Sequence, residues 1–271
     1  MATAQVAIAD LGFPVSTLRS GYNLMARTIE EQSRRLMHLF PGLGRTNVGI
    51  TEEVIAKAHL PRFAEGWFAI PNWRERPDIF GVTYGEACAK ALNALAQNYF
   101  FKGRPFTNGL SNVDSSEILF ETSGKQRAMG LLRHFQRDPD ILVIPGQLGD
   151  TRADISVDEA RKGFLGEEFG LGTFEIAIIL ALHPERFTHY TNLWMLAAGD
   201  DYNNPLGYGS FSGLDRTPCF LMFLSSVVAE TFRRDERHAD YGIPTGFSPF
   251  GSIFSAQQKG GSLCERPFFF I

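Results

Sequence analysis

The residue types that could do chemistry lie mostly in the middle of the chain, between Asp140 and Asn204. Among the acidic residues and histidines of this stretch, six flank predicted buried elements: Asp150, Glu167, Glu168, His183, Asp200 and Asp201. Neighbouring carboxylates can drive their pKa values apart, and oxygen ligands suit hard divalent cations. If the fold brought these side chains together, they could hold a divalent cation or divide into a general acid and a general base.

The candidate catalytic residues are therefore Asp150, Glu168, His183, Asp200 and Asp201. No HExxH or comparable ligand spacing occurs, so the pattern identifies neither a cofactor nor a reaction. The competing interpretation makes Glu168 a solvated turn acid and His183 a helix-end residue near terminal carbonyls. Asp200 and Asp201 would then begin a loop and bond local backbone. The sequence decides neither for nor against an enzyme.

Other catalytic motifs are incomplete. The serines of Gly209-Ser-Phe-Ser-Gly213 do not form GxSxG, and Gly124-Lys125 lacks the first glycine and the hydroxyl residue of a phosphate loop. A nucleophilic Cys219 or Cys264 would need a histidine brought to it by the fold. Cys88 is expected to be a small buried thiol on a helix.

The central apolar runs predict the elements that would position these residues. Ile141 to Ile144 predicts a strand buried on both faces in the middle of a sheet, in parallel βαβ or antiparallel pairing. Phe174 to Leu182 predicts a buried helix capped by Thr173, with a strand as the alternative. Leu193 to Ala198 predicts a second buried strand, which delivers Gly199-Asp-Asp201 at its C-terminal end.

The flanking segments predict an alternation of helices and strands. Helices are expected over Tyr22–Leu39, Glu52–His59, Thr83–Gln97, Ser123–Gln136 and Ser156–Phe164, and strands over Trp67–Ile70 and Phe80–Tyr84. Cys219–Leu224 and Val227–Phe232 could form a hairpin or one helix. On the first helix, Glu31 and Arg35 are spaced as an ion pair, and Arg34-Arg35 is either a solvated face or an anion site.

These elements predict an α+β fold: a single globular domain over residues 1–271, with a mixed, partly antiparallel sheet and three to five helices. The turn-rich residues 102–116 are expected to be a surface loop and are the best candidate for an internal boundary.

Composition narrows the function classes. A formal net charge of −4 argues against a duplex-binding protein, and no apolar run approaches the roughly 20 residues that span a bilayer. Three widely spaced cysteines and the lack of a basic, signal-like N-terminus favour a soluble protein in the cytoplasm. The 24 phenylalanines and the apolar tail Arg266–Ile271 supply surface for a large core or for an interface.

One resemblance covers the second half of the chain. The succession Ile144-Pro145, Phe169-Gly-Leu-Gly-x-Phe174, His183-Pro-Glu-Arg186 and Leu193-Trp194 to Asp200 is similar to hypothetical proteins predicted from genomes of uncultured bacteria. The resemblance implies a bacterial source and no particular chemistry.

The expected function is therefore that of a protein acting through protein–protein contacts or assembly, with a partner protein or a homo-oligomer as the bound species. The alternative is a hydrolase with a carboxylate-lined site that could depend on a divalent cation.

Overall fold

The computed structural model describes residues 27–44, 60–61, 63–98, 100–101, 104–110, 112–115, 117–137, 139–187, 192–203, 215–223 and 226–248. The predicted helix Glu52–His59, the Gly209–Gly213 segment, Cys264 and the tail Arg266–Ile271 lie outside these residues.

The described residues form six α-helices and two sheets, which is the predicted α+β class with more helices than expected. The helices are α1 (Ile29–Leu39), α2 (Pro77–Phe80), α3 (Tyr84–Asn98), α4 (Ser123–Phe135), α5 (Val157–Lys162) and α6 (Thr173–Leu182). Among the helices of the described residues, none is long and apolar enough to cross a bilayer.

The first sheet has the strand order β1, β5, β12, β6, and all of its pairs are antiparallel. Its strands are β1 (Gly66–Pro71), β5 (Ile141–Gln147), β6 (Glu168–Gly170) and β12 (Thr245–Phe247). The predicted strand Ile141–Ile144 is confirmed as an inner strand that is buried throughout. The option of parallel βαβ pairing around it was wrong, because its two neighbours both run antiparallel to it.

The second sheet is mixed. Its strands are β2 (Phe100–Phe101), β3 (Arg104–Asn108), β4 (Leu119–Glu121), β7 (Trp194–Leu196), β8 (Asp200–Tyr202), β9 (Arg216–Phe223), β10 (Ser226–Arg233) and β11 (Tyr241–Gly242). The pairs β3–β10 and β7–β11 are parallel, and the others are antiparallel. Strands β9 and β10 form the predicted hairpin over eight residue pairs. Residues 104–108, expected in a loop, form β3 instead, with Phe106 buried in the core.

The structure differs from two local predictions, one of a strand and one of a helix cap. Phe80–Tyr84 is not a strand: Pro77 starts α2, a position that proline favours, and Gly81 ends it at φ 89°. Thr173 does not cap α6. Gly172 is its N-cap residue, and Asp200 from β8 accepts the backbone N–H of Thr173 at 2.5 Å, so a carboxylate distant in sequence fills the capping role.

A buried glutamine closes the outer edge of β1. The Gln32 side chain on α1 accepts from Ala69 N at 2.9 Å and donates to Trp67 O at 2.9 Å, as a neighbouring strand would. This amide satisfies edge groups that would otherwise be unpaired, and it fixes α1 against the sheet. In the same way, the Gln136 side chain donates to Val143 O and accepts from Val143 N on β5. The neighbouring strand β12 pairs with β5 only at Gly146 and Gln147.

Replacing Gln32 with methionine is expected to lower the free energy of unfolding by roughly 2–3 kcal/mol, because two backbone groups lose their partner. Urea denaturation measures the change. Gln97→Met, at an exposed position on α3, is the matched control and should stay within about 0.5 kcal/mol of the parent. Equal stability of the two variants would show that the amide contacts do not hold the edge.

Candidate functional site

Asp200 lies in a fully buried cluster of charged side chains. It begins β8 rather than ending the preceding strand, because β7 stops at Leu196 and residues 197–199 turn. Its carboxylate accepts from Tyr84 Oη at 2.8 and 2.9 Å and from the backbone of Thr173. The backbone of α6 therefore begins at this carboxylate, where the helix dipole favours a negative charge.

The ammonium of Lys125 occupies the centre of the cluster. Its Nζ lies 2.7 Å from Glu175, 3.3 Å from Asp200 and 3.5 Å from Glu121, and it donates to Tyr84 Oη at 2.7 Å. The side chains of Lys125, Glu175 and Asp200 are 0% exposed. Arg74 pairs with Glu121 at the outer side of the cluster. We call Tyr84, Glu121, Lys125, Glu175 and Asp200 the lysine cluster.

Two glycines let the backbone approach the lysine cluster closely. A Cβ on Gly172 would lie 2.2 Å from Asp200 Oδ1 and 2.3 Å from Lys125 Nζ. A Cβ on Gly199 would lie 2.3 Å from Gly170 O. Only glycine fits at either position, which is the physical reason for the Gly-Leu-Gly and Gly-Asp-Asp stretches in the sequence.

The electrostatics keep the lysine charged and the nearby Cys88 thiol protonated. Burial by itself lowers the pKa of Lys125, but the three carboxylates outweigh it and raise the pKa above its ordinary value. Burial raises the pKa of Tyr84 and of Glu175, and it raises the pKa of the nearby Cys88 thiol well above its usual range. A charged lysine and a protonated thiol are poor nucleophiles, so these features fit a structural ion cluster.

The predicted residue Asp201 points away from the lysine cluster, as alternation along β8 requires. Its carboxylate accepts from Arg161 at 2.8 Å and from Arg234 at 2.6 Å. Arg161 also donates to the backbone carbonyls of Ala198 and Asp200, so it fixes the turn that leads into β8.

Glu168 and Asp150 lie with the first sheet. Glu168 pairs with Arg152 and accepts from Thr245 Oγ1 at 2.9 Å. Asp150 starts the short 3₁₀ turn that contains Arg152, and its Oδ1 is buried with no hydrogen-bond partner among the described residues. The competing interpretation of Glu168 as a solvated turn acid does not fit its ion-paired, mostly buried side chain.

His183 directly follows α6 and contacts a third set of residues. Its Nδ1 lies 2.8 Å from Arg27 Nη1 and 3.2 Å from Glu185 Oε1, and its ring packs edge-on against Phe68. Arg27 also binds both oxygens of Glu185, at 2.5 and 3.1 Å. Burial alone raises the pKa of Glu185, but bonds from His183 and Arg27 outweigh it and lower the pKa to about 2.

The structure thus gives four of the five predicted residues separate partners, and it does not bring the fifth, Asp150, to any of them. Asp200 contacts Lys125, Asp201 contacts Arg161 and Arg234, and Glu168 contacts Arg152, while His183 contacts Arg27 and Glu185. Within the part of the chain that the structure describes, no three His, Cys, Asp or Glu side chains are grouped to hold a metal ion. Their role in catalysis stays a prediction.

Three members of the lysine cluster that were not among the predicted site residues carried a signal in the sequence. Glu175 is the one charged residue in the apolar segment 174–182, and such an acid requires a buried partner. Glu121 and Lys125 are spaced four apart. The signal for Tyr84 is absent from the local sequence, because its partner Asp200 is 116 residues away.

A cleft of about 610 Å³ lies along α1, beside the C-terminal ends of α3 and α6. Its basic residues are Arg27, Arg34, Arg35 and His38. The remaining lining residues are Glu31, Leu39, Asn98 and Ala181. We call it the α1 cleft. Arg34 and Arg35, for which the sequence left open a solvated face or an anion site, thus line a concave surface.

Most charged groups around the α1 cleft also have a structural contact. Arg35 donates to Leu182 O at 3.2 Å, at the C-terminal end of α6. Glu31 completes the capping box of α1 with Thr28, so the predicted Glu31–Arg35 pair is replaced by Glu30–Arg34 at 3.2 Å. The Arg34 side chain is 66% exposed, and an exposed pair of this kind holds its partner weakly.

Comparison with protein-family models, with curated proteins and with solved structures found no match to this chain.

Replacing Lys125 with methionine is expected to lower the free energy of unfolding by about 3–5 kcal/mol, because buried carboxylates lose their cation. Adding Glu175→Gln should recover part of the loss, since one of those carboxylates is then neutral. Denaturant unfolding measures both. Lys162→Met, at an exposed position on α5, is the control, and a loss no larger than in this control would contradict the role of Lys125.

Proposed function

We propose that this protein acts through protein contacts, by binding an acidic segment of a partner protein in the α1 cleft. The observation that carries the proposal is the grouping of four basic side chains, Arg27, Arg34, Arg35 and His38, with Leu39 and Ala181 in the lining of one cleft. Residues 31, 34 and 38 are spaced three or four apart on α1, so they lie on one side of the helix, and Arg27 stands just before the helix begins.

The openness of the cleft favours a protein segment over a small molecule. Small-molecule sites usually enclose 70–90% of their ligand. In the α1 cleft, by contrast, Arg34 and His38 are exposed, and the apolar residues Leu39 and Ala181 are half-buried between them. A peptide segment that presents both acidic and apolar side chains matches this combination.

Charge favours an acidic partner. The whole chain has a formal net charge of −4, so its long-range field does not attract anions. The α1 cleft groups three arginines beside one lining carboxylate, Glu31, and the exposed Arg34–Glu30 pair is weak enough to open toward an anionic ligand. Attraction between charges acts over about 8 Å at physiological ionic strength, and it therefore selects acidic groups that reach the cleft itself.

The location and assembly state belong to the same proposal. A cytoplasmic location is supported by the free and buried thiols of Cys88 and Cys219, and a bacterial source by the resemblance of the second half of the chain. A second copy of the chain is the other partner that the α1 cleft could bind. In that case a dimer would dissociate when Arg34 and His38 are changed.

A hydrolase with a carboxylate-lined site stays the alternative. It requires a carboxylate that can exchange protons with a substrate, whereas Asp200, Asp201 and Glu168 are each paired with a cation. Among the predicted carboxylates of the described residues, Asp150 alone has a buried oxygen without a hydrogen-bond partner, and a hydrolase would have to use that group.

Replacing Arg34 and His38 with glutamate is expected to weaken binding of a fluorescent peptide of alternating glutamate and leucine by at least tenfold, about 1.4 kcal/mol. The cause is the reversal of charge along the open side of the α1 cleft. Fluorescence anisotropy at low salt measures the affinity. Both positions are exposed, so the fold should be retained.

The matched control replaces Arg127 and His134 with glutamate, since both are exposed on α4 and the change in charge is the same. This variant should bind like the parent protein, and a lysine–leucine peptide should not bind. Equal weakening in both double variants would contradict the proposal. Saturable binding of inorganic phosphate without peptide binding would instead indicate a small anionic ligand.

A further inference from the structure

One imidazole nitrogen behind the α1 cleft lies near both a hydrogen-bond donor and a hydrogen-bond acceptor. His183 Nδ1 lies 2.8 Å from a guanidinium nitrogen of Arg27 and 3.2 Å from a carboxylate oxygen of Glu185. The guanidinium can only donate a hydrogen bond, and the ionised carboxylate can only accept one. Without a proton, Nδ1 can accept from Arg27. With a proton, it can only donate to Glu185.

The imidazole that carries its single proton on Nε2 holds Arg27 inward. In that state Arg27 donates to Nδ1 and, in a two-point contact, to both oxygens of Glu185. The Arg27 side chain is 10% exposed although it lines the α1 cleft, so most of its donors are directed toward these two residues. An acidic group in the cleft must therefore compete with Glu185 and His183 for the guanidinium.

The protonated imidazole reverses one of these contacts. An imidazolium placed 2.8 Å from a guanidinium loses a hydrogen bond and adds repulsion between like charges. Glu185 stays ionised under these conditions, because its pKa is lowered to about 2, and it can take the new N–H donor. Protonation thus weakens the inward contacts of Arg27 and adds positive charge behind the cleft.

Two other elements contribute side chains around His183, one apolar and one charged. The Phe68 ring from β1 packs against the imidazole edge-on. Arg35 from α1 donates to the carbonyl of Leu182, the residue before His183. The groups that respond to a proton on His183 are therefore Arg27 and Glu185, with Arg35 as a fixed charge nearby.

We infer that His183 is a protonation switch that governs how far Arg27 is available to an acidic group in the α1 cleft. The inference rests on the proposed function, because the switch regulates the same cleft. Affinity for an acidic segment then rises when Nδ1 of His183 gains a proton. His183 acts through Arg27 and is a positioning residue.

The binding arm of the test compares two proteins in a His38→Gln background, because His38 lines the same cleft. The first retains His183 and the second carries His183→Gln. Both are titrated with the glutamate–leucine peptide at about pH 8 and about pH 6. The protein with His183 should bind at least about fivefold more tightly at the lower pH, and the His183→Gln protein should not. The same pH dependence in both would overturn the switch.

The second arm needs neither a variant nor a ligand. Nuclear magnetic resonance follows the His183 imidazole and the Arg27 Nε–H of the unmodified chain over the same pH range. The two signals should change together, with a common midpoint. If they do so while no peptide binds at any pH, the proposed function fails and the switch stands. If the peptide binds but the Arg27 signal does not follow His183, the switch fails and the proposed function stands.

Discussion

The buried ammonium of Lys125 is the interaction on which the arrangement of this protein depends. It joins side chains from α3, α6, β4 and β8, and each of those carboxylates would be costly to bury without it. The cluster also determines where α6 begins, since Asp200 and Glu175 accept the N–H groups of Thr173 and Gly172. A pair of apolar residues could fill the same volume, but it would not fix these backbone groups.

The α6 helix connects the lysine cluster to the α1 cleft. Its ten residues span about 15 Å, and all but Ala181 are buried. Carboxylates stand at its N-terminus, and Arg35 donates to the Leu182 carbonyl at its C-terminus, so both charges are placed where the helix dipole favours them. His183, the next residue, turns back toward Arg27. The position of the cleft thus follows from the buried charges at the other end of the helix.

Local signals in the sequence predicted most of the elements and little of the site. The apolar runs Ile141–Ile144 and Phe174–Leu182 were correctly assigned, because burial on all sides leaves a continuous pattern, and the Ser156 capping box with Glu159 was visible within four residues. The contacts of Asp200 with Tyr84 and of His183 with Arg27 were not visible, because these partners come from positions 116 and 156 residues away. A concave surface such as the α1 cleft exists only once α1, α3 and α6 have packed together.

Titration of the Lys125 side chain tests the central claim most directly. Nuclear magnetic resonance of the Lys125 Cε and Nζ signals reports the charge of the ammonium without perturbing the cluster. The account predicts that Lys125 keeps its proton beyond pH 10.4, where a free lysine side chain loses half of its charge, as long as the protein is folded. Loss of the proton well below that pH would show that burial outweighs the three carboxylates, and the cluster could not then be the interaction that fixes α6.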